Sequence, residues 1–246
     1  MSVVQEIFNP SHRKRADRPK STVGTGGERF AKLQLARSTN VGPRSYAQLL
    51  RRFGSARAAL EALPALAARG GKPDYVACDA DVISVEIEAG EKIGARLTIV
   101  GDPDYPAMLG TIEPAPPILW ILGEKDLFRR RSVAIVGARN ASALGQRTAR
   151  RLARELGSSG YVVVSGLARG VDAAAHESSL STGTIAVMAG GLDQPYPAEN
   201  TELAERIAEG GALGERHQPG RPRRSHHHFD GRSQGPRRFD LRALRW

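Results

Sequence analysis

Three glycine-bearing polar loops carry the residues of this 246-residue chain best suited to chemistry. The first is Gly137-Ala138-Arg139-Asn140-Ala141-Ser142, and the second is Ser165-Gly166-Leu167-Ala168-Arg169-Gly170-Val171-Asp172. The third is Ala189-Gly190-Gly191-Leu192-Asp193, followed by Tyr196-Pro197 and Asn200. Glycine lets a backbone approach a ligand closely, helix N-termini with free N–H groups favour anions, and arginine grips phosphate through a planar fork of donors. The three loops therefore read as one anion-receptive rim built from Gly137, Arg139, Asn140, Ser142, Ser165, Gly166, Arg169, Gly170 and Gly191. Within it, Arg139 and Arg169 are the candidate clamps for phosphates or flipped bases.

Other chemistries fit these residues less well. A dinucleotide fingerprint needs Gly-x-Gly-x-x-Gly after the first strand, and Gly137-Ala138-Arg139 places arginine at the second glycine. No Gly-x-x-x-x-Gly-Lys-Ser/Thr occurs, which disfavours a P-loop NTPase. Asp172 and His176, four apart on one helix face, could form a dyad or a metal pair, or could simply satisfy their own helix. Cys78 is the only cysteine, so neither an intrachain disulfide nor a cysteine-based zinc site can form. The sequence thus predicts no catalytic residue, no cofactor and no metal site.

The loops need strands and helices to hold them. Val133 to Val136 run without alternation into Gly137, the pattern of a strand buried on both faces, and a helix follows from about Gly145 to Leu156. Val162 to Val164 precede a helix over about 171–180, and Ile185 to Met188 precede one over about 199–208. Strand, helix and strand at this spacing predict a parallel sheet with crossover helices, an α/β, Rossmann-like fold. Before it, Leu97 to Val100 and Ile118 to Leu122 read as two strands flanking a proline-rich connection, with Asp102 and Asp104 as turn acceptors rather than a catalytic pair. Val82 to Ile87 fits a strand as well as a helix.

Residues 25–75 form a small helical domain, in which Leu49, Leu50, Phe53, Ala58, Leu60, Leu63 and Leu66 recur at three- and four-residue steps. Its Asn40-Val41-Gly42-Pro43 turn fits either a helix-hairpin-helix phosphate site or an ordinary interhelical turn. The α/β domain spans 76–215. The formal net charge of +10 is confined to the flanks. Residues 1–24 hold five Lys/Arg and two acids, residues 216–246 nine Arg and two Asp, and residues 25–215 hold 22 of each sign. Both flanks lack the apolar content for a core and read as disordered basic tails. A nucleic-acid function must therefore rest on a local site rather than on bulk charge. No apolar run approaches the roughly 20 residues needed to span a bilayer, and a cytoplasmic location is the default expectation.

Three motifs now stand in order: Val133-Ala134-Ile135-Val136-Gly137-Ala138-Arg139-Asn140-Ala141-Ser142, then Ser165 through His176, then Gly191-Leu192-Asp193-Gln194-Pro195-Tyr196-Pro197-Ala198-Glu199-Asn200. Together they resemble the DNA-processing protein A (DprA/Smf) family, over roughly residues 30–215, with the helices around Val41-Gly42-Pro43 similar to its N-terminal SAM-like module. The resemblance implies a non-enzymatic protein that binds single-stranded DNA in natural transformation and helps load the RecA recombinase onto it. By motif, it assigns Arg139 to holding the DNA backbone and the Gly166 to Gly170 loop to the same pocket. It leaves room for a homodimer and implies no membrane partner.

The family pattern stops at Glu215. From Arg216 to Trp246 there is no Lys, Ile, Val or Met, which predicts a truncated member with a tail translated out of frame; a basic nucleic-acid arm is the alternative. On this expectation the sheet is incomplete, and its third strand, Ile185 to Met188, is left as an exposed edge or with its outer face uncovered. His226 to His228 read as incidental or tag-like. Two other functions compete: a Rossmann-type nucleotide hydrolase of the lysine-decarboxylase-like (LOG) class, whose Pro-Gly-Gly-x-Gly-Thr stretch is absent, and a fragment without function.

Overall fold

A computed structural model describes residues 27–188 and 190–215 of the chain. The two basic tails and His226 to His228 lie outside the described residues. The chain divides into two compact units, one of residues 27–105 with Glu113–Trp120, the other of Pro106–Ile112 with residues 121–215. Among the described residues no helix is long and apolar enough to cross a membrane.

The first unit opens with three helices, α1 (Glu28–Arg37), α2 (Pro43–Phe53) and α3 (Ala56–Arg69). Their turns follow from the sequence. Asn40 takes the left-handed conformation at φ 64°, and Pro43 starts α2 at a position whose N–H has no helical partner. Gly54, at φ 76°, ends α2, and the Ser55 side chain accepts from the Ala58 N–H to cap α3. Ala31, Leu35, Tyr46, Ala56, Ala59 and Leu63 form the core between these helices.

The ambiguous stretch around residues 82–87 is helical, as part of α4 (Ala80–Lys92). Its buried stripe is Ile83, Glu86, Ile87 and Gly90, a helical spacing that the glutamate conceals from an apolar count. The Glu86 carboxylate is fully enclosed and triply engaged. Arg37 donates from Nε at 3.0 Å and from Nη2 at 2.7 Å, and the Trp120 indole N–H donates at 2.8 Å. Gly90 lies flat against the Trp120 ring, where any Cβ would collide. Strand β1 (Arg96–Ile99) lies beside β2 (Ile118–Gly123), the Val100 N–H bonding Pro117 at 3.0 Å. Asp102 is structural: its Oδ2 accepts from the Ile99 N–H at 2.9 Å and pairs with Arg29 at 2.8 Å.

In the second unit a one-turn helix, α5 (Ala107–Gly110), precedes four strands and three longer helices. These are β3 (Ser132–Ala134), α6 (Ala143–Ser158), β4 (Val162–Ser165), α7 (Val171–Ser179), β5 (Thr184–Met188), α8 (Thr201–Gly210) and β6 (Ala212–Glu215). The strands stand side by side in chain order and all run parallel, with Val133 beside Val163, Val164 beside Ile185 and Ala186 beside Leu213. Side chains of β4 alternate between two cores. Val163 packs with Ala153 and Ala175 from α6 and α7, whereas Val162 and Val164 pack with Leu127 and Ile185. This is the α/β, Rossmann-like arrangement that the sequence predicts.

Two expectations about the strands are corrected. The third strand is not an edge, because β6 pairs with β5 along its length, and the Glu124 N–H donates to the Gly211 carbonyl at 2.8 Å where the end of β2 meets β6. The outer strand of the second unit is instead β3, which no other strand flanks on its far side among the described residues. The first strand is accordingly shorter and less buried than its apolar run suggests. It ends at Ala134, its residues are half-buried, and Val136 is 51% exposed.

Removing Arg37 leaves a carboxylate enclosed without its counter-charge, and breaking a buried pair in this way costs about 3–5 kcal/mol. Arg37→Ala is expected to lower the unfolding free energy by that order in urea denaturation. A loss within the scatter of surface substitutions would show that Glu86 is not held as described.

Candidate nucleic-acid interface

The rim takes its shape from one backbone turn. Leu167, two residues past β4, adopts the left-handed conformation at φ 56°, which costs a non-glycine residue about 1–2 kcal/mol. Its side chain is completely buried, and burial of a leucine contributes roughly 1.5–3 kcal/mol, enough to offset the strain. Polar bonds fix the rest. Asp172 Oδ2, in the first turn of α7, accepts from the N–H of Gly166 at 3.2 Å and of Ala168 at 3.4 Å, on either side of Leu167. Asn200 Nδ2 donates to the Leu167 carbonyl at 2.9 Å, tying the third loop to the second.

The first loop is fastened to the second just as closely. The Ser165 hydroxyl donates to the Ile135 carbonyl at 2.6 Å, and the Val171 N–H reaches the Ala138 carbonyl at 3.3 Å. Gly170, at φ 76°, has the Arg139 carbonyl oxygen 2.7 Å from where a Cβ would stand, so only glycine allows this approach. Gly137 is pressed against the Val171 side chain in the same way, with a Cβ position 2.7 Å from Cγ2. Ser142 caps α6, its side chain accepting from the Gly145 N–H at 3.2 Å.

A cavity of about 390 Å³ opens among these loops, within the roughly 300–1,000 Å³ usual for ligand sites. Arg139, Asn140, Gly166 and Arg169 line it, so the structure brings four of the nine sequence-selected residues together around one space. Gly137, Ser142, Ser165, Gly170 and Gly191 are not among the lining residues; the first four hold the loops in the ways just described. Ala168, Val187, Met188, Gly190, Tyr196 and Pro197 complete the lining, and none of them stood among the selected residues. Val187 and Met188 end β5 and read from sequence as strand core. Tyr196, 52% exposed, is the one aromatic residue among those lining the cavity.

The charges differ from a simple cradle. The N–H groups of Gly166 and Ala168 are taken by Asp172, so positive character at the cavity comes from the two guanidinium groups. Arg139 is exposed and makes no ion pair or side-chain hydrogen bond among the described residues. Arg169 is paired through Nε with Glu199 Oε1 at 2.6 Å. Asp172 and His176 do not work as a dyad, because the carboxylate faces the loop while the imidazole is packed beneath it. His176 is fully buried, with Nδ1 2.7 Å from Thr184 Oγ1, and burial lowers its pKa to about 4 against a weaker opposing influence of the Ser165 backbone. Among the described residues no group of three or more His, Cys, Asp or Glu could hold a metal ion.

The chain is similar to known proteins in sequence and in fold. Residues 96–234 match the family model described as DNA recombination-mediator protein A, and residues 26–89 match that of the DprA-like N-terminal HHH domain. Protein Smf of Synechocystis is 43% identical over 118 residues, which is 46% of this chain and 30% of that protein. DNA processing protein DprA of Bacillus subtilis is 36% identical over 129 residues, 51% of this chain and 43% of that one. The chain thus aligns with less than half the length of these relatives. The X-ray structure of DNA processing protein A from Streptococcus pneumoniae superposes with a TM-score of 0.60 at 25% identity, covering 78% of this chain and 69% of that one.

Two outcomes follow from this geometry. Asp172→Ala orphans two backbone donors beside a strained residue and is expected to destabilise the protein by about 1–3 kcal/mol, with faster amide hydrogen exchange at residues 166–168. Unchanged exchange there would show that the carboxylate does not hold the loop. His176, with a folded pKa of about 4 against 6.5 unfolded, makes the unfolded state the stronger proton binder between those values. The contribution of His176 to stability should therefore be nearly flat above about pH 6.5 and fall by about 3 kcal/mol as the pH drops to 4. His176→Gln should remove that component in pH-dependent urea denaturation.

Proposed function

Because this chain belongs to the DNA recombination-mediator protein A family, we propose that it binds single-stranded DNA, with backbone phosphates on Arg139 and Arg169 and a base entering the cavity beside Tyr196. The observation that carries this reading is the Arg139 side chain, an exposed cation without a partner among the described residues, at the mouth of a cavity lined by Val187, Met188 and an aromatic ring. Guanidinium groups supply the phosphate contacts, and an aromatic face with an apolar floor accepts any base by stacking. Binding is therefore salt-sensitive and tolerant of sequence.

The role is non-enzymatic. The match to a family described as a recombination mediator supports this reading over that of a nucleotide hydrolase. The cell-level role that fits a recombination mediator is the handling of incoming single strands in the cytoplasm during natural transformation, followed by loading of RecA. Self-association into a homodimer belongs to the same reading. Residues Asn140, Gly166 and Gly170 support the grip by shaping the loops around the two arginines.

Salt-titrated fluorescence anisotropy with labelled oligo(dT) tests the proposal. The full chain should bind with an affinity whose logarithm falls linearly with log salt. Arg139→Ala should weaken binding about tenfold or more and reduce the slope by about 0.7, the value for one phosphate contact on a single strand. Equal binding and equal slope for both proteins would remove the cavity as the DNA site.

A further inference from the structure

Arg139 and Arg169 flank the same cavity but stand in different electrostatic situations. Arg169 is held by Glu199, with the two side chains 58% and 52% exposed, whereas Arg139 makes no ion pair among the described residues. Glu199 lies in a short 3-10 turn, Ala198–Asn200, directly after the cavity residues Tyr196 and Pro197. Resting on the DNA-binding reading above, we infer that Glu199 is an internal competitor for Arg169, a carboxylate that occupies the guanidinium until a phosphate displaces it and thereby limits the affinity of the site.

The carboxylate is not needed to hold the loop. Asn200, its neighbour, already ties this turn to the Leu167 carbonyl, and Pro197 is buried. Glu199 itself is exposed and bonds the very group that a ligand would want. An ion pair this exposed is weak, so an incoming phosphate can exchange with it. Exchange still has a cost to binding, because the Arg169–Glu199 contact must be given up or the carboxylate must remain beside a phosphate of like charge. A neutral residue of the same shape removes both penalties. The expected gain is that of one surface pair, about two- to fivefold in affinity.

The test uses the full chain and labelled oligo(dT) at several salt concentrations, comparing wild type, Glu199→Gln, Arg169→Ala, the double variant and Glu202→Gln. Glu199→Gln should bind two- to fivefold more tightly at each salt concentration, with a salt slope close to that of wild type because the bound state has the same phosphate contacts. The gain should vanish in the Arg169→Ala background, and Glu202→Gln, three residues away, should change affinity little. Thermal unfolding of Glu199→Gln at the wild-type midpoint would confirm that the fold is intact. The inference is overturned if Glu199→Gln binds no better than wild type, if its gain survives in the Arg169→Ala background, or if Glu202→Gln matches it. Absence of DNA binding by both wild type and Glu199→Gln would instead sink the DNA-binding reading, and the competitor role with it.

Discussion

Leu167 lies in the left-handed region with its side chain fully enclosed, and the geometry of the binding rim follows from that constraint. A leucine in this conformation persists only where its surroundings fix it from several sides. Here they do so with an apolar pocket for the side chain, one carboxylate for the flanking N–H groups and one amide for the carbonyl. Two of the three devices come from elsewhere in the chain, Asp172 from the next helix and Asn200 from the next loop. The turn therefore acts as a fastening between loops. It points the loop backbone so that Gly166, Ala168 and Arg169 face one cavity.

The same fastening assigns the electrostatics. Asp172 is an anion placed where a ligand phosphate could otherwise meet the helix N-terminus, and it takes up the backbone donors of the second loop. Positive character is thereby shifted onto side chains, which are longer, more mobile and more exposed than N–H groups. Since residues 25–215 carry equal numbers of acids and bases, the attraction of this region for an anion is local. A field of that kind reaches only about a Debye length, some 8–10 Å at physiological salt. On the proposed reading, contact chemistry at Arg139 and Arg169, rather than a broad basic surface on residues 25–215, sets what this region binds.

The two arginines also hang from different supports. Arg139 follows β3, the least buried strand of the second unit, which has a neighbour on one side only among the described residues. Arg169 follows β4, buried along its length between β3 and β5. The first loop compensates through its bonds to the second, from Ser165 and Val171, so its position is set by β4 as much as by its own strand. The first unit shows a comparable economy in Glu86, where one enclosed carboxylate joins α1, α4 and the Trp120 indole. In both units a buried acid organises backbone or side-chain donors from distant parts of the chain.

Much of this was legible in the sequence. The apolar runs at Val162 to Val164 and Ile185 to Met188, and the helical spacings after them, determined a parallel α/β unit, because those periods report directly which faces are buried. Glycines beside Arg139 and Arg169 marked the loops, and the motifs carried the family. What remained hidden depended on partners far apart in sequence. Glu86 looked polar until Arg37 and Trp120, 49 and 34 residues away, enclosed it. Asp172 and His176 looked like a pair because they share a helix face, yet one bonds a loop and the other a strand. Nothing local told β3 that it would be an edge, since that depends on which strands pair and not on its own apolar content. The sequence by itself determined which residues could meet an anion. Tertiary structure decided that Arg139 stands unpaired among the described residues while Arg169 is held by Glu199, because charge pairing is set by distance in space, and the 29 residues of intervening chain carry no record of it.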